Sequence, residues 1–172
     1  MLSLDPQRRP LALAAAIVLI VGIATISGAW SLQIFADIVP CPLCLQQRWV
    51  YYLGLPLAVL ALAWLIAGAS TGVPRILLGL TALLFAGGAV LAAYHSGVEW
   101  HWWPGPTGCA TGAGAPQSAT GLLQQMERTR VVPCDEASWR FLGLSLAGYN
   151  ALISLGLVAL IGWALRTSVR GA

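Results

Sequence analysis

Residues 41–74 read CPLCLQQRWVYYLGLPLAVLALAWLIAGASTGVP. Between Arg48 and Arg75 this stretch carries no Asp, Glu, Lys or Arg. A bilayer's hydrocarbon core is about 30 Å thick and takes roughly 20 apolar residues as helix, because lipid cannot satisfy free backbone N–H and C=O groups. Trp49–Pro74 is therefore long enough to cross a membrane as one helix. Working outward, the same silence recurs in Pro10–Ala36, Ile76–Val98 and Phe141–Leu165. Over all 172 residues only 9% are charged and 58% are hydrophobic, with no Lys at all. A soluble domain carries about 25% charge, so neither a soluble enzyme nor a disordered polymer fits. The expectation is an all-α, four-helix transmembrane bundle forming a single domain over 1–172. Its spans fall near 11–30, 47–66, 76–95 and 144–165, with a short loop at 31–46 and a long one at 96–143.

The few charges also orient the bundle. Four spans bring Arg8, Arg9, Arg75, Arg166 and Arg170 to one face, opposed there only by Asp5. The positive-inside bias makes that face cytoplasmic, with both termini on it. The formal net charge of +3 is then a feature of topology, and no nucleic-acid partner is read from it. Arg8-Arg9, an apolar run and Ser27-Gly28-Ala29 imitate a cleavable signal peptide, but Leu11–Ala29 exceeds the usual apolar core of about 7–15 residues. An uncleaved first helix is the expectation. In the long loop, 105–121 is rich in Gly, Ala and Thr, and 118–128 has the spacing of a short helix with Leu122, Leu123 and Met126 on one side. Such a helix suits either the membrane surface or the ends of the spans.

All four cysteines fall on the non-cytoplasmic face: Cys41 and Cys44 in the short loop, Cys109 and Cys134 in the long one. Cysteines in even number, confined to an oxidising side, read first as disulfides. Cys41-Pro42-Leu43-Cys44 has a readable geometry. Pro42 pushes Cys41 away from the α region and suits the first helical position, which puts Cys41 at an N-cap. A thiolate there meets free backbone N–H groups and the positive end of the helix. Arg48, one turn beyond Cys44, adds a fixed charge, and together these favour Cys44 as a ready thiolate leaving group. Zinc would want two close pairs of ligands, and Cys109 and Cys134 enclose 24 residues; no metal is expected. A structural Cys109–Cys134 bridge remains an alternative, stabilising by roughly 3–4 kcal/mol on the chain-entropy model. The glycines around Cys109 suit exchange better than stapling.

Arg48 opens its span at the non-cytoplasmic boundary. His95 lies twenty residues after Arg75, about 30 Å of helix, and so reaches the same boundary. Both beside a C-x-x-C are placed to polarise a carbonyl oxygen of a lipid-soluble acceptor such as a quinone; no haem, flavin or iron–sulfur motif is visible to take the electrons. The plainer alternatives are a snorkelling Arg48 and a His95 paired with Glu99. Trp100, His101, Trp102 and Trp103 read as an interfacial aromatic belt, or as the lining of an acceptor or partner groove.

These features together resemble the bacterial disulfide bond formation protein B (DsbB) family. The resemblance rests on four spans, on C-x-x-C followed by Gln46-Gln47-Arg48, on a second cysteine pair in a long loop, and on the run from Cys134-Asp135-Glu136 to Leu142-Gly143-Leu144. It covers nearly the whole chain. It implies an inner-membrane thiol:quinone oxidoreductase that reoxidises a periplasmic DsbA-type thiol oxidase. By that resemblance Cys109 would form the mixed disulfide with the partner and Cys134 would resolve it. Cys134 would then exchange with Cys41, leaving Cys44 to pass electrons to ubiquinone (or menaquinone) from the membrane pool. Arg48 matches the family's quinone-associated arginine, and His95 matches by location. Gln47, where an acidic residue can stand, and the Trp-rich 100–103 segment depart from some members. Other readings are a paralogue with one dedicated partner, a quinone-linked oxidase of the vitamin K epoxide reductase type, and a non-enzymatic membrane protein with two structural disulfides. The vitamin K type usually carries its C-x-x-C after the loop pair, whereas here it comes first.

Overall fold

The computed structural model describes residues 5–68, 70–106, 134–137 and 139–170. Among them are four long helices: α1 (Arg8–Phe35), α2 (Pro42–Ile66), α3 (Gly72–Glu99) and α4 (Leu146–Arg170). Each is long and apolar enough to cross a membrane. The protein is thus a four-helix bundle of multi-pass membrane type. The helices overrun the charge-free gaps, so Arg8, Arg48, Arg75 and Arg170 sit within helical turns; a helix does not end where hydrocarbon does. The fourth helix begins later than its expected span. Leu144 and Ser145 instead form a strand, β2, paired antiparallel with β1 (Arg140–Phe141). Leu142 (φ 48°) and Gly143 (φ 83°) both take left-handed backbone, as a two-residue hairpin turn of this hand requires.

The bundle closes in ring order. α3 packs most heavily against α2 and α4, α1 lies against α2, and α1 and α3 barely meet. The core between them includes Leu11, Val18, Leu65, Leu78, Phe85 and Ile161. Outward-facing side chains such as Ile20, Leu83 and Val90 are exposed and apolar, which suits lipid. Small residues let the backbones approach: a Cβ on Gly88 would stand 3.0 Å from Val50, and one on Gly54 3.2 Å from Phe85. Pro56 lies inside α2, which continues through it; membrane helices tolerate an internal proline where neighbours re-satisfy the backbone.

At one end Arg75 donates from Nη2 to the Ser168 carbonyl (2.8 Å) and from Nε to its hydroxyl (3.1 Å), tying α3 to the last turn of α4. The C-x-x-C, His95, Glu99 and Cys134 gather at the other.

Candidate active site

α2 begins as the sequence predicts. Cys41 is its N-cap, extended at φ −68° and ψ 161°, and Pro42 opens the helix. An N-cap side chain accepts from the third helical N–H, and here that donor belongs to Cys44: its N–H points at Cys41 Sγ at 3.1 Å. The two sulfurs lie 2.6 Å apart, and both are free. The local field therefore favours a thiolate on Cys41, whereas spacing alone suggests Cys44. A hydrogen bond from the Cys44 thiol is the main cause pulling the Cys41 pKa down to about 5; burial opposes it and His95 assists. The Cys44 N–H, aimed at the same sulfur, adds a smaller contribution in the same direction.

His95, on the last turn of α3, places Nε2 3.7 Å from Cys41 Sγ. Cys134 completes the group: the ligating atoms of Cys41, His95 and Cys134 all lie within 4.8 Å of one another, and all three residues are buried. Cys134 is disulfide-bonded, so its sulfur is not a thiolate donor for a metal. It is an electrophile within reach of the Cys41 sulfur. Cys109 and the 118–128 segment lie outside the described residues.

A cavity of about 820 Å³ opens beside this cluster, walled by α1, α2 and α4 with the last turn of α3, and its lining includes Ala29, Gln33, Cys44, Arg48, Glu99 and Asn150. Arg48 is 9% exposed. It donates to Gln33 Oε1 at 2.7 Å and to the Ala29 carbonyl at 3.3 Å, and its guanidinium carbon lies 5.4 Å from the centre of the Trp30 ring. The charge read as a neighbour of Cys44 is thus tethered toward α1, on the cavity wall. A lipid-snorkelling Arg48 does not match that burial.

Behind His95 runs a chain of amides. Tyr51 donates its hydroxyl to Asn150 Oδ1 (2.5 Å), Asn150 Nδ2 donates to Gln47 Oε1 (2.6 Å), and Gln47 Nε2 donates to His95 Nδ1 (2.8 Å). An amide nitrogen can only donate, so Nδ1 accepts and the imidazole proton sits on Nε2. On that side Glu99 Oε1 lies 3.9 Å away, the i,i+4 pairing that the spacing allowed. The sequence reading did not single out Asn150, Tyr51 or Gln33. Asn150 carried a usable signal, as a side-chain amide inside a charge-free span; Tyr51 and Gln33 carried none beyond position.

The Trp segment follows the end of α3. Trp103 stacks on Tyr94 (centroids 6.0 Å, planes 8° apart) and donates Nε1–H to the Tyr94 carbonyl at 3.0 Å, while Trp102 is 70% exposed. Arg140 lies over Trp100 and donates to the Glu99 carbonyl at 3.1 Å, fastening the hairpin to the end of α3.

The family described as "Disulfide bond formation protein DsbB" matches residues 9–164. The chain belongs to the DsbB family. The family's name states the work, and a thiol pair with its buried member, Cys41, facing a disulfide is equipment for it: the protein is a disulfide-forming oxidoreductase. A Disulfide bond formation protein B from Azoarcus sp. (strain BH72) is 33% identical, covering 94% of this chain and 93% of its own length. Proteins of the same name from Polaromonas sp. and Verminephrobacter eiseniae are each 29% identical, over 88% and 87% of this chain and 88% and 83% of their own. No solved structure matches the chain significantly.

Proposed function

We propose that the protein oxidises the dithiol of a DsbA-type partner in the periplasm and passes the electrons to a membrane quinone, from a position in the inner membrane with both termini cytoplasmic. The observation that carries this is the juxtaposition of Cys41 and Cys134 within 4.8 Å, beside a cavity onto which Cys44 opens. Electrons entering at the Cys109–Cys134 pair would move to Cys41 by thiol–disulfide exchange. Exchange at sulfur needs a thiolate attacker and a thiolate leaving group: a Cys134 thiolate, released when the partner reduces the Cys109–Cys134 pair, would attack Cys41 of an oxidised Cys41–Cys44 pair, and Cys44 would leave as the thiolate.

The last transfer, from Cys44 to quinone, fits the cavity. Its lining is largely apolar and holds Arg48 as a fixed cation. A quinone carbonyl gaining negative charge is stabilised by a preorganised guanidinium in a water-poor site. The thermodynamics call for such a sink. A DsbA-type oxidant has a potential near −120 mV and is kept oxidised by the quinone link rather than by a thiol buffer. The specific quinone, ubiquinone or menaquinone, follows from the host membrane.

Purified full-length protein, a reduced DsbA-type partner and ubiquinone-1 provide the test. Quinol is expected to form in step with partner disulfide, and Cys44→Ser is expected to stop it. Normal turnover by Cys44→Ser would contradict the assignment of Cys44.

A further inference from the structure

Oxidising a dithiol releases two electrons and two protons, and a quinone takes up both of each to become quinol. Cys41, whose sulfur receives the Cys44 N–H at 3.1 Å, is the thiol placed to give its proton to the water outside the site. The Cys44 proton must leave when its sulfur attacks. His95 is the obvious base by location, but its wiring denies it that role. Nδ1 is occupied as an acceptor from Gln47, and the Gln47 amide is held in that orientation by Asn150 and Tyr51. Nε2 then carries the ring's proton and faces Cys41 at 3.7 Å and Glu99 at 3.9 Å as a donor. The ring has no acceptor nitrogen left.

Glu99 does offer an acceptor. It is 5% exposed and lines the same cavity as Cys44 and Arg48. Its Oε1 faces His95, while its buried Oε2 has no hydrogen-bond partner among the described residues. A buried carboxylate oxygen without a donor forfeits its hydration with nothing in return, and such an atom calls for an explanation. We propose that Glu99, and not His95, is the proton-transfer residue of the site: its carboxylate takes the Cys44 proton as that sulfur becomes a nucleophile and delivers it to a quinone oxygen.

The step balances. The Cys44 S–H bond breaks and a Glu99 O–H bond forms; the Cys41–Cys44 disulfide closes as two electrons pass to the quinone. Glu99 then returns its proton to one quinone oxygen, and the other oxygen takes a proton from water in place of the one lost earlier from Cys41. The carboxylate ends as it began. The groups facing it are His95 on its own helix, Cys41 and Cys44 at the start of α2, Arg48 across the cavity, Arg140 on β1 and Ser145 on β2.

This inference rests on the quinone reading above, and the test separates the two. Steady-state quinol formation is measured across pH for wild type, Glu99→Gln, Glu99→Asp and the double variant Glu99→Gln/Gln47→Glu, with ubiquinone-1 as acceptor. Glu99→Gln should lower kcat about 100-fold with KM for quinone nearly unchanged, since general acid–base groups contribute at least that factor. It should also remove the acid limb that a titrating carboxylate imposes. Glu99→Asp should keep the limb. The double variant should regain part of the rate, because a carboxylate at position 47 accepts from Nδ1 and frees Nε2 to act as the base. Wild-type kcat and pH profile in Glu99→Gln would overturn the inference, as would equal losses in Gln and Asp variants with a raised KM, the pattern of a structural role. Absence of quinol from wild type would overturn the functional reading itself, and the inference with it.

Discussion

Cys41 and Cys44 share a turn of helix, yet their surroundings differ in which sulfur receives the hydrogen bonds. Cys41 receives the thiol and the backbone N–H of Cys44, and its pKa falls from 9.0 to about 5. A depressed pKa means that the folded, reduced state binds fewer protons than the unfolded one between those values. Its contribution to stability is fully present above the unfolded value and is lost as pH falls through about 5. Alkylation of the reduced protein, with the modified residue located by mass spectrometry, should show Cys41 reacting with a midpoint near pH 5, and Cys44→Ala should move that midpoint toward the ordinary thiol value. Arg48 allows a second test at this scale. It is held by Gln33, Ala29 and the Trp30 face, a planar, multi-donor arrangement that lysine does not reproduce. Arg48→Lys should raise KM for ubiquinone by about tenfold, one lost charge-assisted hydrogen bond being worth roughly 1.5 kcal/mol or more. An unchanged KM returns Arg48 to tying α1 to α2.

Between elements, the bundle depends on close approach more than on hydrogen bonds. Gly87 and Gly88 are adjacent on α3 and make an internal control. A Cβ on Gly88 meets Val50 at 3.0 Å, while one on Gly87 meets nothing within 4 Å. Gly88→Leu should cost about 1–3 kcal/mol through overpacking against α2, and Gly87→Leu should be close to neutral. Thermal unfolding in detergent, read as the difference in Tm between the two, checks this; equal shifts would mean that α2 and α3 do not pack through Gly88. The elements were also what the sequence displayed most openly. Charge-free gaps mark helices because lipid forbids charge, and Pro42 marks the start of α2 because proline is at home in a helix's first turn, where its missing N–H costs nothing. The hairpin at 140–145 was not visible that way: Leu144 and Ser145 are apolar and small, and they continue a charge-free run without a break. Its evidence is the left-handed pair Leu142-Gly143, a backbone property that Leu142 does not announce.

At the scale of the molecule, the four helices carry redox groups to one end and Arg75 with the outer ends of α1 and α4 to the other, about 40 Å apart along a 28-residue helix. Cys41, Cys44, Cys134, Arg48 and His95, which the structure gathers at one end, stand out in the sequence because rare residue types are conspicuous in a chain so poor in charge. The wiring behind them was not. Gln47 meets Asn150 across more than a hundred residues of sequence, and which nitrogen of His95 holds the proton depends on that contact. Local spacing carries no trace of it. Spacing could count helical positions but could not show that the Cys44 N–H addresses the Cys41 sulfur.

Direct exchange between Cys41 and Cys134 is the step on which the proposed electron path depends. Cys44→Ser leaves the Cys41 thiolate with no C-x-x-C partner and the Cys134 disulfide within 4.8 Å. Non-reducing peptide mapping of that variant by mass spectrometry, purified without reductant and without partner, should recover a Cys41–Cys134 disulfide as the dominant species, formed as the Cys41 thiolate attacks Cys134 and Cys109 leaves as a free thiol. A Cys41 that stays free, with Cys134 never joined to it, would contradict the account.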